Sequence, residues 1–308
     1  MTHLFIINPA AGSRDRTKEY TKAIEDVCGS KGLSYRIAVS AEPGDCTRIA
    51  REAAQSGEAH RIYACGGDGT LNEVVAGAAG YANVAVTAFS GGSGNDFTKL
   101  FDDPEAFRDL ERLLDCEELE LDLIRCNEDL CLNICSVGLD ARIGIDVANY
   151  KRLPLLSGFR AYVVSAIINT IRGISEHYVV KIDGEVVDAE QTMICACNGR
   201  FYGGGFNPVP EADPTDGLLD VLLVTKVNRL KVLEVVGKYK EGKYAQYPEL
   251  IRYFKVKELE ILCDKETGIQ LDGEMRMAKN IHIKVADEKL RFFYPKGLVW
   301  KKEQPAMV

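Results

Sequence analysis

Short apolar runs alternate with amphipathic stretches over residues 1–120. "HLFIINP" (3–9) reads as a buried strand. In "RTKEYTKAIEDVCGSKG" (16–32), Tyr20, Ile24, Val27 and Cys28 fall at helical spacing, and Gly29 and Gly32 supply stop signals. The pattern continues with a strand at 34–40, a helix at 44–57, a strand at 61–67, a helix at 70–80, a strand at 83–90 and a helix at 103–116. Strand and helix in strict alternation predict a parallel sheet flanked by helices.

The periodicity changes near residue 120. Residues 118–127 and 130–138 read as two strands joined by a short turn, and 157–173 as one long apolar-faced helix. Strand-like runs then follow, among them "HYVVKIDGEVV", "TMICACNG", "GLLDVLLVT", "VKELEILC", "IQLDGEM" and "IHIKV", with one helix at 230–242. This half is expected to be mostly antiparallel β. The chain of 308 residues is thus divided into an α/β domain at 1–122 and a β-rich domain at 123–289. "LRFFYPKG", within 290–308, is a candidate to return to the first domain.

Composition narrows the classes. With 46% hydrophobic and 27% charged residues, the chain has a globular make-up. A formal charge of −8 argues against a broad basic surface for nucleic acid. No apolar run reaches the ~18–20 residues that span a bilayer. The N-terminal "MTHLFIINPAAG" lacks a basic leader and is expected to be a strand rather than a signal peptide. The ten cysteines form no CxxC pair and the histidines number four, so free thiols in a reducing cytoplasm are expected, and no zinc site.

Three glycine-rich loops each follow a predicted strand: "NPAAGS" (8–13), "GGDGT" (66–70) and "SGGSGNDF" (90–97). One such loop is equally well an ordinary turn. Three in successive strand–helix positions point to a nucleotide or phosphate site at the carboxyl ends of the strands. There, exposed amides at a helix start favour anions. None is a Walker loop. Asp68 in the second loop would repel a bare phosphate, but a nucleotide brings Mg²⁺, beside which a carboxylate is attractive. Asp96 in the third loop is a candidate for a similar part. For both aspartates the plain reading is a turn or cap residue.

Downstream, Asp213 and Asp216 in "DPTDGLLDV" lie three apart on a turn. Two carboxylates with a backbone carbonyl make a candidate hard-cation site; a solvated acidic turn is the alternative. "QLDGEMRM" (270–277) sets Asp272 and Glu274 around a glycine, and its "DG" is a hairpin signal.

Taken in order, "NPAAG", "GGDGTLNEV", "GSGNDF", "FYGGGFNPVPEADPTDGLLDV" and "LDGE" resemble the diacylglycerol kinase catalytic family, over nearly the whole chain. "GGDGT" alone is unspecific, because NAD kinases share it; the ordered set is specific. The resemblance implies an N-terminal phosphofructokinase- or NAD-kinase-like parallel α/β domain and a C-terminal antiparallel β-sandwich-like domain. It implies ATP and Mg²⁺ as cofactors, and transfer of the γ-phosphate to a lipid hydroxyl in a cleft between the domains.

Carried over by position, the resemblance implies that Asn8, Pro9, Ala10, Ala11 and Gly12, with Gly66, Gly67, Gly69, Thr70, Leu71, Asn72 and Glu73, line the nucleotide. Ser40 and Ser93 stand where the family usually has threonine, and each keeps a hydroxyl. Ser90 replaces the usual proline before the third loop. A structural Mg²⁺ would be held by Asp213, Asp216 and the Leu218 carbonyl. Glu274 would be the general base, with Asp68 and Asp96 organising Mg²⁺ and phosphates; sphingosine-kinase-like members give the base role to the aspartate that is Asp68 here.

The lipid side is less defined. The 157–173 helix walls an acyl pocket or simply packs the core. Arg200 and Tyr202 lie in a glycine-rich loop near the expected substrate. The short basic runs "YKR" (150–152) and "VWKKE" could touch an anionic surface. The expected partner is a lipid presented at a membrane to a cytoplasmic protein in peripheral contact with it; a homodimer is left open. Two other readings stay in view: a kinase of a soluble substrate such as NAD, and an inactive lipid- or nucleotide-binding regulator.

Overall fold

The computed structural model describes residues 1–91, 94–143, 175–203, 205–228 and 231–300. Ser93, the 157–173 helix and the basic runs at 150–152 and 301–302 lie outside the described residues. The chain forms two units: Met1–Leu123 with Phe201–Gly205 and Ala286–Lys302, and Ile124–Arg200 with Phe206–Val285 and Glu303–Val308.

The first unit is a six-stranded sheet in the order β2-β1-β3-β4-β15-β5. Its strands are β1 (Thr2–Ile7), β2 (Tyr35–Val39), β3 (His60–Gly66), β4 (Val84–Ser90), β5 (Cys116–Leu121) and β15 (Leu290–Pro295). The pairings are parallel except for β15 with β5. Every residue of β4 is buried, as expected of a parallel strand covered on both faces. Helices α1 (Thr17–Ser30), α2 (Asp45–Gln55) and α3 (Asp68–Ala78) fill the connections. Their apolar stripes turn inward, through Tyr20, Ile24 and Cys28 of α1 and Cys46, Ile49 and Ala50 of α2.

Three predicted elements differ, one of them the strand expected over 130–138, which is broken into β7 (Asp129–Cys131) and β8 (Ile134–Gly138). The helix expected over 103–116 is a 3₁₀ turn at Pro104–Arg108 and a short α4 at Leu110–Leu114. Asp109 divides them: its carboxylate accepts from Glu111 N and Arg112 N and starts a new helix. The strand expected over 118–127 is two strands, β5 and β6 (Ile124–Cys126), in different sheets. Buried Asp122 lies at the break and pairs with Lys289.

His3 sits in this core, 4% exposed, with Nδ1 2.8 Å from the Tyr63 hydroxyl. Burial first, then the Arg61 charge, lowers its pKa from 6.5 to about 4. The folded state therefore binds fewer protons than the unfolded chain between those values. Its contribution is intact above pH 6.5 and is lost as the pH falls toward 4. Denaturant melts should show wild type losing roughly 2–3 kcal/mol more than His3→Gln across that window. Parallel curves would overturn the assignment.

The second unit is antiparallel throughout. Its strands are β6, β7 (Asp129–Cys131), β8 (Ile134–Gly138), β9 (Glu176–Ile182), β10 (Glu185–Cys197), β11 (Leu219–Thr225), β12 (Ile251–Val256), β13 (Glu258–Leu271) and β14 (Glu274–Val285), with helix α5 (Val232–Lys240). The long strands β10 and β13 change partners along their length. The Glu185–Gln191 part of β10 pairs with β9, and Met193–Cys197 pairs with β8 and β11. In β13, Leu259–Cys263 pairs with β9 and Ile269–Leu271 with β8. Register shifts at Gln191/Met193 and Leu262/Thr267 bend both strands, so β10, β8, β13 and β9 close a ring of pairings around the core. Tyr178, Ile194, Val221, Leu223, Ile261 and Ile283 are among the residues that fill it. The ten cysteines are free, and only Cys116 is partly exposed.

Candidate active site

The three glycine-rich loops leave β1, β3 and β4, which are neighbours in the first sheet. Asn8 joins the first loop to the second. Its Oδ1 accepts from Ala10 N at 3.0 Å, closing the turn through Pro9, and its Nδ2 donates to Thr70 Oγ1 at 3.2 Å. Ala11 N closes back on Asn8 O, and Gly12 follows with φ +83°. Thr70 is itself packed over Gly66, where a Cβ would come within 2.2 Å of its Oγ1. The chain can therefore turn from β3 into α3 only with glycine at that point. Gly67 is the extended cap of α3, and Asp68 and Gly69 open the helix. The first amides of any helix lack partners within it and face outward.

Asp68 reaches the third loop. Its Oδ1 accepts from Asp96 N at 2.5 Å. Its Oδ2 packs on Gly94 so closely that a Cβ there would lie 2.3 Å away. Burial, and then the charge of Asp96, raises the Asp68 pKa from its ordinary value. Asp96 is 5% exposed, and Lys99 Nζ holds its Oδ1 at 2.5 Å. Sequence reasoning missed Lys99, although its spacing of three from Asp96 was a readable signal. Two carboxylates side by side offer hard oxygen donors of the kind a nucleotide-borne Mg²⁺ takes, but Lys99 already neutralises Asp96, and among the described residues no third His, Cys, Asp or Glu joins them. Gly66, Gly67, Asp68, Leu71, Ser90 and Asn95 line a recess here. Ser90 Oγ and Asn72 Oδ1 are buried without a hydrogen-bond partner among the described residues, which suits a polar ligand.

Other predicted positions serve the scaffold. Leu71, 4% exposed, packs in the core as well as forming part of the recess wall. Glu73 accepts from Gly44 N through Oε2 and from Thr47 Oγ1 through its carbonyl, bracing the start of α2. Ser40 follows β2, and its N–H donates to Ile7 O at 2.9 Å. Tyr202, 7% exposed, is a packing residue.

Asp213, Asp216, Leu218 and Glu274 belong to the second unit. Asp213 Oδ1 accepts from Thr215 N and Oγ1. Asp216 Oδ1 accepts from Leu218 N at 3.0 Å, and its Oδ2 pairs with Lys255 Nζ at 2.8 Å. Three of the four carboxylate oxygens thus already face protein donors, one of them a cation. Among the described residues no group of three or more His, Cys, Asp or Glu is placed to hold a metal. This arrangement fits Mg²⁺ poorly and an ammonium well. The melting temperature of wild type should therefore be equal in EDTA and in Mg²⁺. Lys255→Met should lower it by the equivalent of roughly 1 kcal/mol and make it respond to Mg²⁺. A wild-type melt that drops in EDTA would restore the metal.

Glu274 is the first residue of β14, just beyond a two-residue turn at Asp272 (φ +47°) and Gly273 (φ +95°). Both positive angles make it the twisted hairpin turn that "DG" predicts. The Glu274 side chain is 52% exposed, and its Oε2 lies 3.7 Å from Arg276 Nη1.

Comparison with known proteins agrees with this arrangement. Residues 2–126 match the diacylglycerol kinase catalytic domain, and residues 133–294 match the YegS C-terminal NAD kinase beta sandwich-like domain. A protein of Staphylococcus carnosus named "putative lipid kinase" is 25% identical over 301 residues, 94% of this chain and 96% of the relative. One of Staphylococcus aureus strain N315, similarly named, is 25% identical over 87% of each chain. Two solved structures from Bacillus anthracis strain Sterne share the fold, one described as a diacylglycerol kinase and the other as a "putative diacylglycerol kinase". Their TM-scores are 0.70 and 0.75 at 20% and 21% identity, each spanning 97% of this chain and 98% of its own. With both halves matched in order, the chain belongs to the diacylglycerol kinase catalytic family and is a kinase.

Proposed function

We propose that this kinase transfers the γ-phosphate of ATP, bound with Mg²⁺, to the hydroxyl of a diacylglycerol-like lipid. The observation that carries the reading is the closely joined Asp68–Asp96 pair, set among three glycine-rich loops that leave parallel strands of the first sheet. Asp68 and Asp96 would hold Mg²⁺, which when bound neutralises charge on the phosphates. The amides at the start of α3 and the turn closed by Asn8 orient the phosphate chain. Glu274 takes the proton from the attacking lipid hydroxyl. The lipid names of the relatives support the acceptor class.

Among the described residues no helix is long and apolar enough to cross a membrane. Peripheral contact is therefore the way we propose a lipid is reached. Incubation with γ-labelled ATP, Mg²⁺ and a mixed lipid extract should place label in the organic phase. A parallel reaction with NAD tests the soluble-substrate reading. Label in NADP alone, or none in either arm, would overturn the proposal.

A further inference from the structure

The hairpin that carries Glu274 is fastened at its tip by an unusual set of bonds. Asp272 occupies the first place of a turn in which asparagine serves equally well as a local turn former. Its side chain instead points back onto the link between β7 and β8. Oδ2 accepts from Leu132 N at 2.6 Å and Asn133 N at 2.9 Å, and Oδ1 accepts from Asn133 N at 3.1 Å and Ile134 N at 2.8 Å. The Asp272 N–H donates to Ile134 O at 3.1 Å. A carboxylate accepts from several N–H groups at once through two oxygens; an amide has one such oxygen and would turn its own N–H₂ against the donors.

The link is held from its other side as well. Asn198, 1% exposed, donates through Nδ2 to Leu132 O at 2.7 Å. Asn198 N and Gly199 N both donate to Asn133 O, at 2.8 and 3.0 Å. The tip of β13–β14 is thereby tied to the end of β10 through a segment fixed on both sides. Among the described residues Glu274 has no comparable anchor of its own. It is half exposed, its Oε2 lies 3.7 Å from Arg276 Nη1, and it follows the fastened residue by two positions.

We infer that Asp272 is the positioning residue for Glu274. By locking the hairpin tip to the Leu132–Ile134 amides, it fixes where the Glu274 carboxylate stands. The inference rests on the reading of Glu274 as the base. A base must sit within hydrogen-bond reach of the proton it takes, and a displacement of about 1 Å can cost on the order of 10²-fold in rate.

The test is a double-mutant cycle on the full chain, with kcat and KM for ATP measured for Asp272→Asn, Glu274→Gln and the double variant. Asp272→Asn should lower kcat by about 10- to 100-fold with KM for ATP unchanged. In the Glu274→Gln background it should have no further effect on kcat. Amide exchange should quicken at Leu132–Ile134, with protection elsewhere kept. Wild-type kcat in Asp272→Asn overturns the inference. So does an equal loss in both backgrounds, which marks a general loosening of the fold. Unchanged turnover in Glu274→Gln alone is a different result: it removes the base reading itself. Should Asp272→Asn fold poorly, Asp272→Glu takes its place in the same cycle, keeping the charge while displacing the carboxylate by one methylene.

Discussion

Glu274→Gln is expected to lower turnover by about 10²- to 10⁴-fold while ATP affinity stays near wild type. The substitution keeps the size of the side chain and removes its ability to accept a proton. Phosphoryl transfer asks little covalent chemistry of a protein, but the attacking hydroxyl must lose its proton as the bond forms. The substitution leaves the glycine-rich loops and the Asp68–Asp96 pair unaltered, so nucleotide affinity should stay near wild type. Initial rates at saturating ATP and lipid, with nucleotide affinity measured separately, distinguish the cases. Unchanged turnover would remove Glu274 from the chemistry and return attention to Asp68. A parallel loss of ATP affinity would show that the residue acts on binding.

Asp68→Asn should lose activity on the order of 10²-fold or more, and its apparent Mg²⁺ requirement should rise. The same change should make the nucleotide-free protein more stable. In wild type the Asp68 charge is opposed by burial and by Asp96. An asparagine keeps an oxygen for the Asp96 N–H, which donates to Asp68 at 2.5 Å, and removes the repulsion. Opposite movements of activity and melting temperature are what a site that stores unfavourable charge should give. Loss of both together would instead mark Asp68 as a cap and turn residue.

Much of the first unit was legible because helix and strand periods alternate cleanly through residue 90. Legibility failed where a period continued across a change of structure. Alternation runs unbroken from Glu118 to Leu123, yet the chain leaves one sheet and enters another at Asp122 and Leu123. The event there is a pairing with Lys289, far away in sequence. The loops of the site were readable from glycine and aspartate, which are local turn chemistry. The work of Asp272 was not. Its "DG" announces a hairpin, but the amides it binds lie about 140 residues earlier. Lys255 beside Asp216 was hidden for the same reason.

β15 sits between β4 and β5, and β5 has no other neighbour in the first sheet. The order of synthesis therefore matters. When the ribosome has made the first 123 residues, the β4 edge is unpaired and β5 has no strand to join. Both wait for a six-residue segment that emerges only after every strand of the second unit. The nucleotide loops are encoded first, but the sheet that carries them closes last. In the nascent chain, the long exposed edge of β4 is the surface most in need of protection from wrong pairing.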